Sequence, residues 1–211
     1  MEHPRGLSAL ATHLLAQPPS CGPVRLVAVD GHAGSGKTTF AGRLAEALGG
    51  APVVHLDDFA TQQEFFGWTE RLLDRVLAPL SQGSTARFEA YDWVAERFQG
   101  ARAVPPAPAV LLEGVGAGRR LLRPWLAALI WMELPFDDAR ARGLRRDGPG
   151  LADFWERWSA AETAHFAADP SRPFAQLMVD GRTGEFLRPQ RAKRSLDREG
   201  GEELSFPSLP D

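Results

Sequence analysis

The sequence predicts an α/β fold: a single parallel β-sheet of about five strands, flanked by helices and topped by an arginine-rich helical lid. Three observations carry this expectation. Short β-branched runs alternate with stretches whose apolar residues recur at helical spacing. Glycine breakers such as Gly49-Gly50 and Gly83 separate the elements. The acids Asp30, Asp57 and Glu113 each stand at or just after a β-branched run, where a parallel sheet places its ligand. Such alternation implies βαβ units with right-handed crossovers.

Taken in order, residues 6–16 read as a short N-terminal helix. Val24–Asp30 reads as a buried strand ending at a glycine, and Thr38–Leu48 as a helix with Phe40, Ala41, Leu44, Ala45 and Leu48 on one face. Pro52–Leu56 is a second strand. Trp68, Leu72, Leu73, Val76, Leu77 and Leu80 form one face of a helix that Gly83 ends. Ala109–Leu112, Leu129–Leu134 and Ala175–Val179 complete the expected strands. From Arg188 the apolar pattern fades into Arg, Lys, Glu, Gly and Pro. The expected organisation is therefore one domain over 1–187 and a flexible tail over 188–211.

Composition narrows the function classes. The chain has 211 residues and a net charge of -3, which argues against a protein built to grip nucleic-acid backbone. One cysteine, Cys21, excludes an internal disulfide and a cysteine-rich zinc site. No apolar run approaches the roughly 20 residues needed to span a bilayer, and residues 7–16 lack the basic flank of a signal peptide. A cytoplasmic protein with no membrane partner is expected. Its partner would be a small molecule, and the composition is compatible with a homo-oligomer.

Gly31-His-Ala-Gly-Ser-Gly36-Lys37-Thr38 matches G-x-x-x-x-G-K-[ST], directly after an expected strand and opening an expected helix. Glycines allow backbone N–H groups to face phosphate oxygens, and the helix N-terminus adds its positive end. The fold expected is thus that of a P-loop NTPase. The expected nucleotide-binding residues are Gly31, Ala33, Gly34, Ser35, Gly36, Lys37, Thr38 and Thr39. Lys37 would reach the β- and γ-phosphates, and the Thr38 hydroxyl would ligate Mg²⁺.

A metal-bound triphosphate needs one or two carboxylates for the cation, and a hydroxyl acceptor needs a base in reach. Asp57 and Glu113 suit both roles. Thr38, Asp57 and Glu113 are the expected metal ligands, and Asp57 the expected general base. Arg142, Arg145 and Arg146 lie three or four residues apart, so they share one side of a helix. Their guanidinium forks suit a transferred phosphoryl group better than ammonium groups would. Lysine survives at Lys37 and Lys193 alone among the 24 Lys and Arg residues. The expected catalytic set is Lys37, Asp57, Arg142, Arg145 and Arg146.

These residues resemble the uridine kinase family of P-loop kinases, which is related to phosphoribulokinase-like and pantothenate-kinase-like proteins. The likeness rests, in chain order, on Val29-Asp-Gly31 with the phosphate loop, His55-Leu-Asp-Asp-Phe59, Ala90-Tyr-Asp-Trp93, Val110-Leu-Leu-Glu-Gly114 and Arg142-Gly-Leu-Arg-Arg-Asp147. It implies transfer of a phosphoryl group from ATP, or alternatively GTP, to a hydroxyl of a small molecule, a uridine- or cytidine-like nucleoside in that family. It also implies an acceptor site at Asp57, Tyr91 and Glu113, and a lid arginine at Arg146. The chain departs from the family pattern at Glu96, at Thr61–Gly67 and at Gly143. A non-nucleoside alcohol remains the alternative acceptor, and a nucleotide-binding regulatory protein the alternative of another class.

Three further features lie outside the expected site. Trp93, Trp125, Trp131, Trp155 and Trp158 read as packing residues. Glu162 and His165 form E-x-x-H without the second motif a di-metal site needs. His32, in the phosphate loop, reads either as a contact to the nucleotide or acceptor or as a variable polar position.

Overall fold

The computed structural model describes residues 6–187; the expected tail over 188–211 lies outside them. The central strand is β1 (Arg25–Gly31), which pairs in parallel with β5 (Ala109–Glu113) on one side and β6 (Leu126–Glu133) on the other. β2 (Val53–His55) adds to β5, and β7 (Leu177–Asp180) to β6, both in parallel. These are the expected parallel strands. A sixth, β8 (Phe186–Leu187), closes the edge antiparallel to β7, giving the order β2-β5-β1-β6-β7-β8.

Both faces of this sheet are covered, so its strands are apolar in both directions. On β1, Leu26 and Ala28 join one core while Val27 and Val29 join the other. On β5, Val110 and Leu112 face the first core and Leu111 the second. The second core is closed by α1 (Leu7–Leu15) and α2 (Lys37–Ala47), through Leu10, Leu14, Phe40, Ala41 and Leu44. The first is closed by α3 (Thr69–Leu72), a π-helical stretch (Leu73–Leu77) and α4 (Ala78–Ser81), which run on as one helix. The widened turn precedes Pro79, whose ring clashes with the carbonyl one turn back in a regular α-helix.

Two features were not expected. β3 (Ala86–Asp92) and β4 (Arg97–Val104) form a separate antiparallel hairpin. Ala86, Phe88 and Ala90 face inward while Arg87 and Glu89 face solvent, an alternation written in the sequence but short and charged. In its turn, Asp92 Oδ1 accepts the N–H groups of Val94 and Ala95. The second is the long helix α6 (Ala152–Ala168), which follows α5 (Phe136–Asp147) and packs against it.

One α6 residue, His165, stacks on Phe66 with centroids 4.6 Å apart and an angle of 4°. Burial, reinforced by the nearby Arg119, depresses its pKa to about 4. Below about pH 6.5 the unfolded chain gains a proton that the folded one refuses, so stability falls as pH drops toward 4. His165→Phe keeps a ring on Phe66 but takes up no proton. In urea titrations its stability is expected to fall less than that of the wild type between pH 7 and pH 5.

Candidate active site

Three parallel strands deliver their last residues to one end of the sheet. The phosphate loop follows β1, Asp57 sits in the 3-10 turn Leu56–Asp58 after β2, and Glu113 ends β5. The loop needs its glycines: Gly34 and Gly36 have φ of 86° and 96°, the left-handed region that favours glycine. Gly34 also lies so close to α5 that a Cβ would stand 2.1 Å from the Ala139 carbonyl oxygen. Lys37, 7% exposed, donates from Nζ to the His32 carbonyl at 2.9 Å.

The carboxylates cluster beside it. Thr38 Oγ1 donates to Glu113 Oε1 at 3.3 Å, and His55 Nδ1 to Glu113 Oε2 at 2.7 Å. The Glu113 bond and charge raise the His55 pKa against the effect of burial. Asp57 opens onto the cleft yet lies deep among protein atoms. That desolvation, aided by the charge of Glu113, raises its pKa, while Lys37 and His55 pull it down. Asp30, by contrast, is completely buried and turned away, accepting N–H groups from Gly31, Gly116 and Gly118 at 2.7–2.9 Å.

The residues present fit a magnesium-bound triphosphate. Thr38, Glu113 and Asp57 offer only oxygen donors, as a hard cation requires. Among the described residues no group of three or more His, Cys, Asp or Glu could hold a metal ion. The cation would therefore share its ligands with phosphate oxygens and water, the usual situation for Mg²⁺.

Above the loop lies a cleft of about 440 Å³. Its lining combines the loop residues Ala33, Gly34, Gly36, Lys37, Thr38 and Thr39 with Arg142 and Arg146, an apolar, largely aromatic wall of Trp93, Val115, Phe154, Trp155 and Trp158, and Asp57. Arg142 Nη1 donates to the Gly181 carbonyl at 2.7 Å. Arg146 forks onto Asp147 at 2.6 and 2.9 Å. Arg145 is exposed and does not line the cleft. Tyr91 is 6% exposed and packs behind Trp93 with centroids 5.2 Å apart. It borders a separate cavity of about 430 Å³ with Asp58 and Arg102, not the cleft above the loop. Glu96 occupies the exposed hairpin turn at φ 52°.

The aromatic wall escaped sequence reasoning because large aromatics usually serve burial. Trp155 and Trp158 are indeed buried, but each also borders the cleft. Trp93 Nε1 donates to the Asp57 carbonyl at 3.1 Å, tying the wall to the strand end that presents the carboxylate.

No protein-family model matches the chain, and no curated protein matches it by sequence. Solved structures do. A possible uridine kinase from Bacillus stearothermophilus superposes with a TM-score of 0.58 at 19% identity, covering 82% of this chain and 97% of the other. A candidate fructose transport system kinase from Silicibacter sp. TM1040 gives 0.55 at 23%, covering 77% and 88%. The chain has a P-loop kinase fold. Within that fold, residues of α6 and Trp93 line the same cleft as the phosphate loop.

Gly143 now has a physical reason. A Cβ there would stand 2.0 Å from the Trp155 ring, so Trp155 occupies the space that a side chain at 143 would need. Gly143→Ala is expected to cost about 1–3 kcal/mol through overpacking and to displace Trp155. A lowered melting temperature with altered tryptophan emission checks this.

Proposed function

We propose that this protein is an Mg²⁺- and ATP-dependent kinase that phosphorylates a hydroxyl of a small molecule, with a uridine- or cytidine-like nucleoside as the first acceptor to test. One observation carries the reading: Asp57, the phosphate loop and an aromatic wall line one cleft. The loop side suits a triphosphate, with GTP as the alternative donor. The wall suits a ring, since aromatic pairs add roughly 0.5–1.5 kcal/mol beyond area burial. The small net negative charge and the single cysteine support a small-molecule partner and a cytoplasmic setting.

The chemistry follows from these side chains. Asp57 accepts the acceptor hydroxyl proton as its oxygen bonds to the γ-phosphorus, while the bond from γ-phosphorus to the β,γ-bridging oxygen breaks and ADP leaves. Its raised pKa strengthens it as a base. Lys37, Arg142 and Arg146 neutralise charge on the phosphoryl oxygens. Thr38 and Glu113 would hold Mg²⁺, which supplies further charge neutralisation when bound. The aromatic wall keeps water from the phosphoryl group once an acceptor fills the cleft.

A non-nucleoside alcohol is the second reading. It is favoured by Glu96 standing outside the cleft and by Trp155 filling the space at Gly143. Incubation with Mg²⁺·ATP and a panel of nucleosides, nucleotides, pantothenate and sugar alcohols decides between them. Acceptor-dependent ADP release is expected, falling roughly 10²–10³-fold in Lys37→Ala and about 10²–10⁴-fold in Asp57→Asn. Nucleotide binding with no acceptor-stimulated release across the panel would favour a regulatory protein.

A further inference from the structure

One carboxylate of α6 touches both the aromatic wall and the phosphate loop. Glu162 is 1% exposed. Its Oε2 accepts the indole Nε1–H of Trp158 at 2.9 Å, and Trp158 lines the aromatic wall. Its Oε1 accepts from His32 Nδ1 at 2.6 Å and from the Ala33 N–H at 3.3 Å, both inside the phosphate loop. The Ala33 N–H also lies 3.4 Å from Oε2, so the two oxygens share it.

The next contacts extend the chain. The His32 ring makes edge contacts with Trp131, Phe136 and Phe166 at 5.3–5.6 Å, so it cannot turn from Glu162 without disturbing that packing. The His32 carbonyl in turn receives Lys37 Nζ. A continuous set of contacts therefore runs from the aromatic wall through Glu162 to the phosphate-loop lysine. An apolar residue would fill this interior without the desolvation cost of a buried charge. The carboxylate is needed for what its two oxygens join.

We propose that Glu162 is a positioning residue that couples the acceptor side of the cleft to the phosphate loop. By holding His32 and Ala33, it keeps the following amides and Lys37 aimed at the triphosphate. A bound acceptor packing on Trp158 steadies the same carboxylate. The assignment rests on the kinase reading for its acceptor half, while its hold on the phosphate loop stands without it. Coupling of this kind is reciprocal: acceptor tightens nucleotide by the factor by which nucleotide tightens acceptor.

The test is calorimetric titration with a non-hydrolysable ATP analogue and Mg²⁺, with and without the best acceptor from the panel. In the wild type the acceptor is expected to tighten the nucleotide by about 5- to 150-fold. In Glu162→Leu that factor falls toward one, and the nucleotide alone binds roughly tenfold more weakly, the loss of one neutral-to-charged hydrogen bond. Glu162→Gln recovers most of both, because its oxygen can serve Trp158 and Ala33 while its amide N–H donates to His32 Nδ1 in the ring tautomer that carries its hydrogen on Nε2. Should Glu162→Leu fail to fold, Trp158→Phe keeps a smaller aromatic ring in the wall but removes the indole N–H that Glu162 accepts, and lowers the coupling factor.

Unchanged nucleotide affinity and coupling in Glu162→Leu would overturn the proposal. So would equal impairment of the Leu and Gln variants in proportion to their melting temperatures, the mark of a structural role. Full coupling in Trp158→Phe would do the same. A wild type that binds no nucleotide overturns both the kinase reading and this one. A wild type that binds nucleotide but phosphorylates nothing overturns the kinase reading alone, and the Glu162→Leu titration without acceptor then decides the hold on the loop.

Discussion

A carboxylate buried at the end of the central strand sets the terms for everything above it. Asp30 is fully enclosed, and removing its charge from water is costly. The cost is offset by N–H groups from Gly31 at the start of the phosphate loop and from Gly116 and Gly118 in the loop after β5. Burial still outweighs those bonds, so the Asp30 pKa is raised. Three amides must converge on one side chain, and that convergence fixes two loops against each other. It thereby fixes how the phosphate loop meets the segment over which α6 is laid.

The close approaches follow from this anchoring. Gly116 leaves no room for a Cβ beside the His165 ring of α6, and Gly34 none beside the α5 backbone. The two helices therefore lie directly on the ligand-binding end of the sheet. Their carboxylates then do a second job. Trp155 donates its indole N–H to Asp147, which also holds Arg146, and Trp158 donates to Glu162, which also holds the phosphate loop. Trp155 and Trp158, the buried tryptophans of the wall, are thus each tied through one carboxylate, to Arg146 and to the phosphate loop respectively.

The elements most legible in the sequence were those under local rules. Val27, Val29, Val110 and Leu112 belong to strands covered on both faces, so their runs are continuously apolar and bounded by Gly or Pro. The phosphate loop was legible because its glycines, Lys37 and Thr38 are required at set intervals by phosphate geometry. The placement of Asp57 and Glu113 beside the phosphate loop was legible because strand ends of a parallel sheet gather at one edge. The β3–β4 hairpin was less so, since its inward residues alternate with Arg87 and Glu89 and one of them, Ala90, is small. Arg145 and Tyr91 show the limits of motif position: helix spacing gave Arg145 a share in the lid, yet only Arg142 and Arg146 reach the cleft. Tyr91 packs behind Trp93, where the next aromatic in the same strand-and-turn takes the wall position.

By itself, then, the sequence determined a parallel α/β sheet, a phosphate loop at the end of its central strand, and two carboxylates able to join it. Periodicity and motif spacing are enough for that, because each is a short-range constraint. Only the tertiary structure decided what else lines the cleft. It made Trp93, Trp155 and Trp158 into a cleft wall and gave Glu162 two oxygens facing two sides. It also turned Gly143 from a missing side chain into space for an indole. Those roles depend on contacts between residues 12 to 130 positions apart, and no local pattern encodes which face of α6 the phosphate loop will meet.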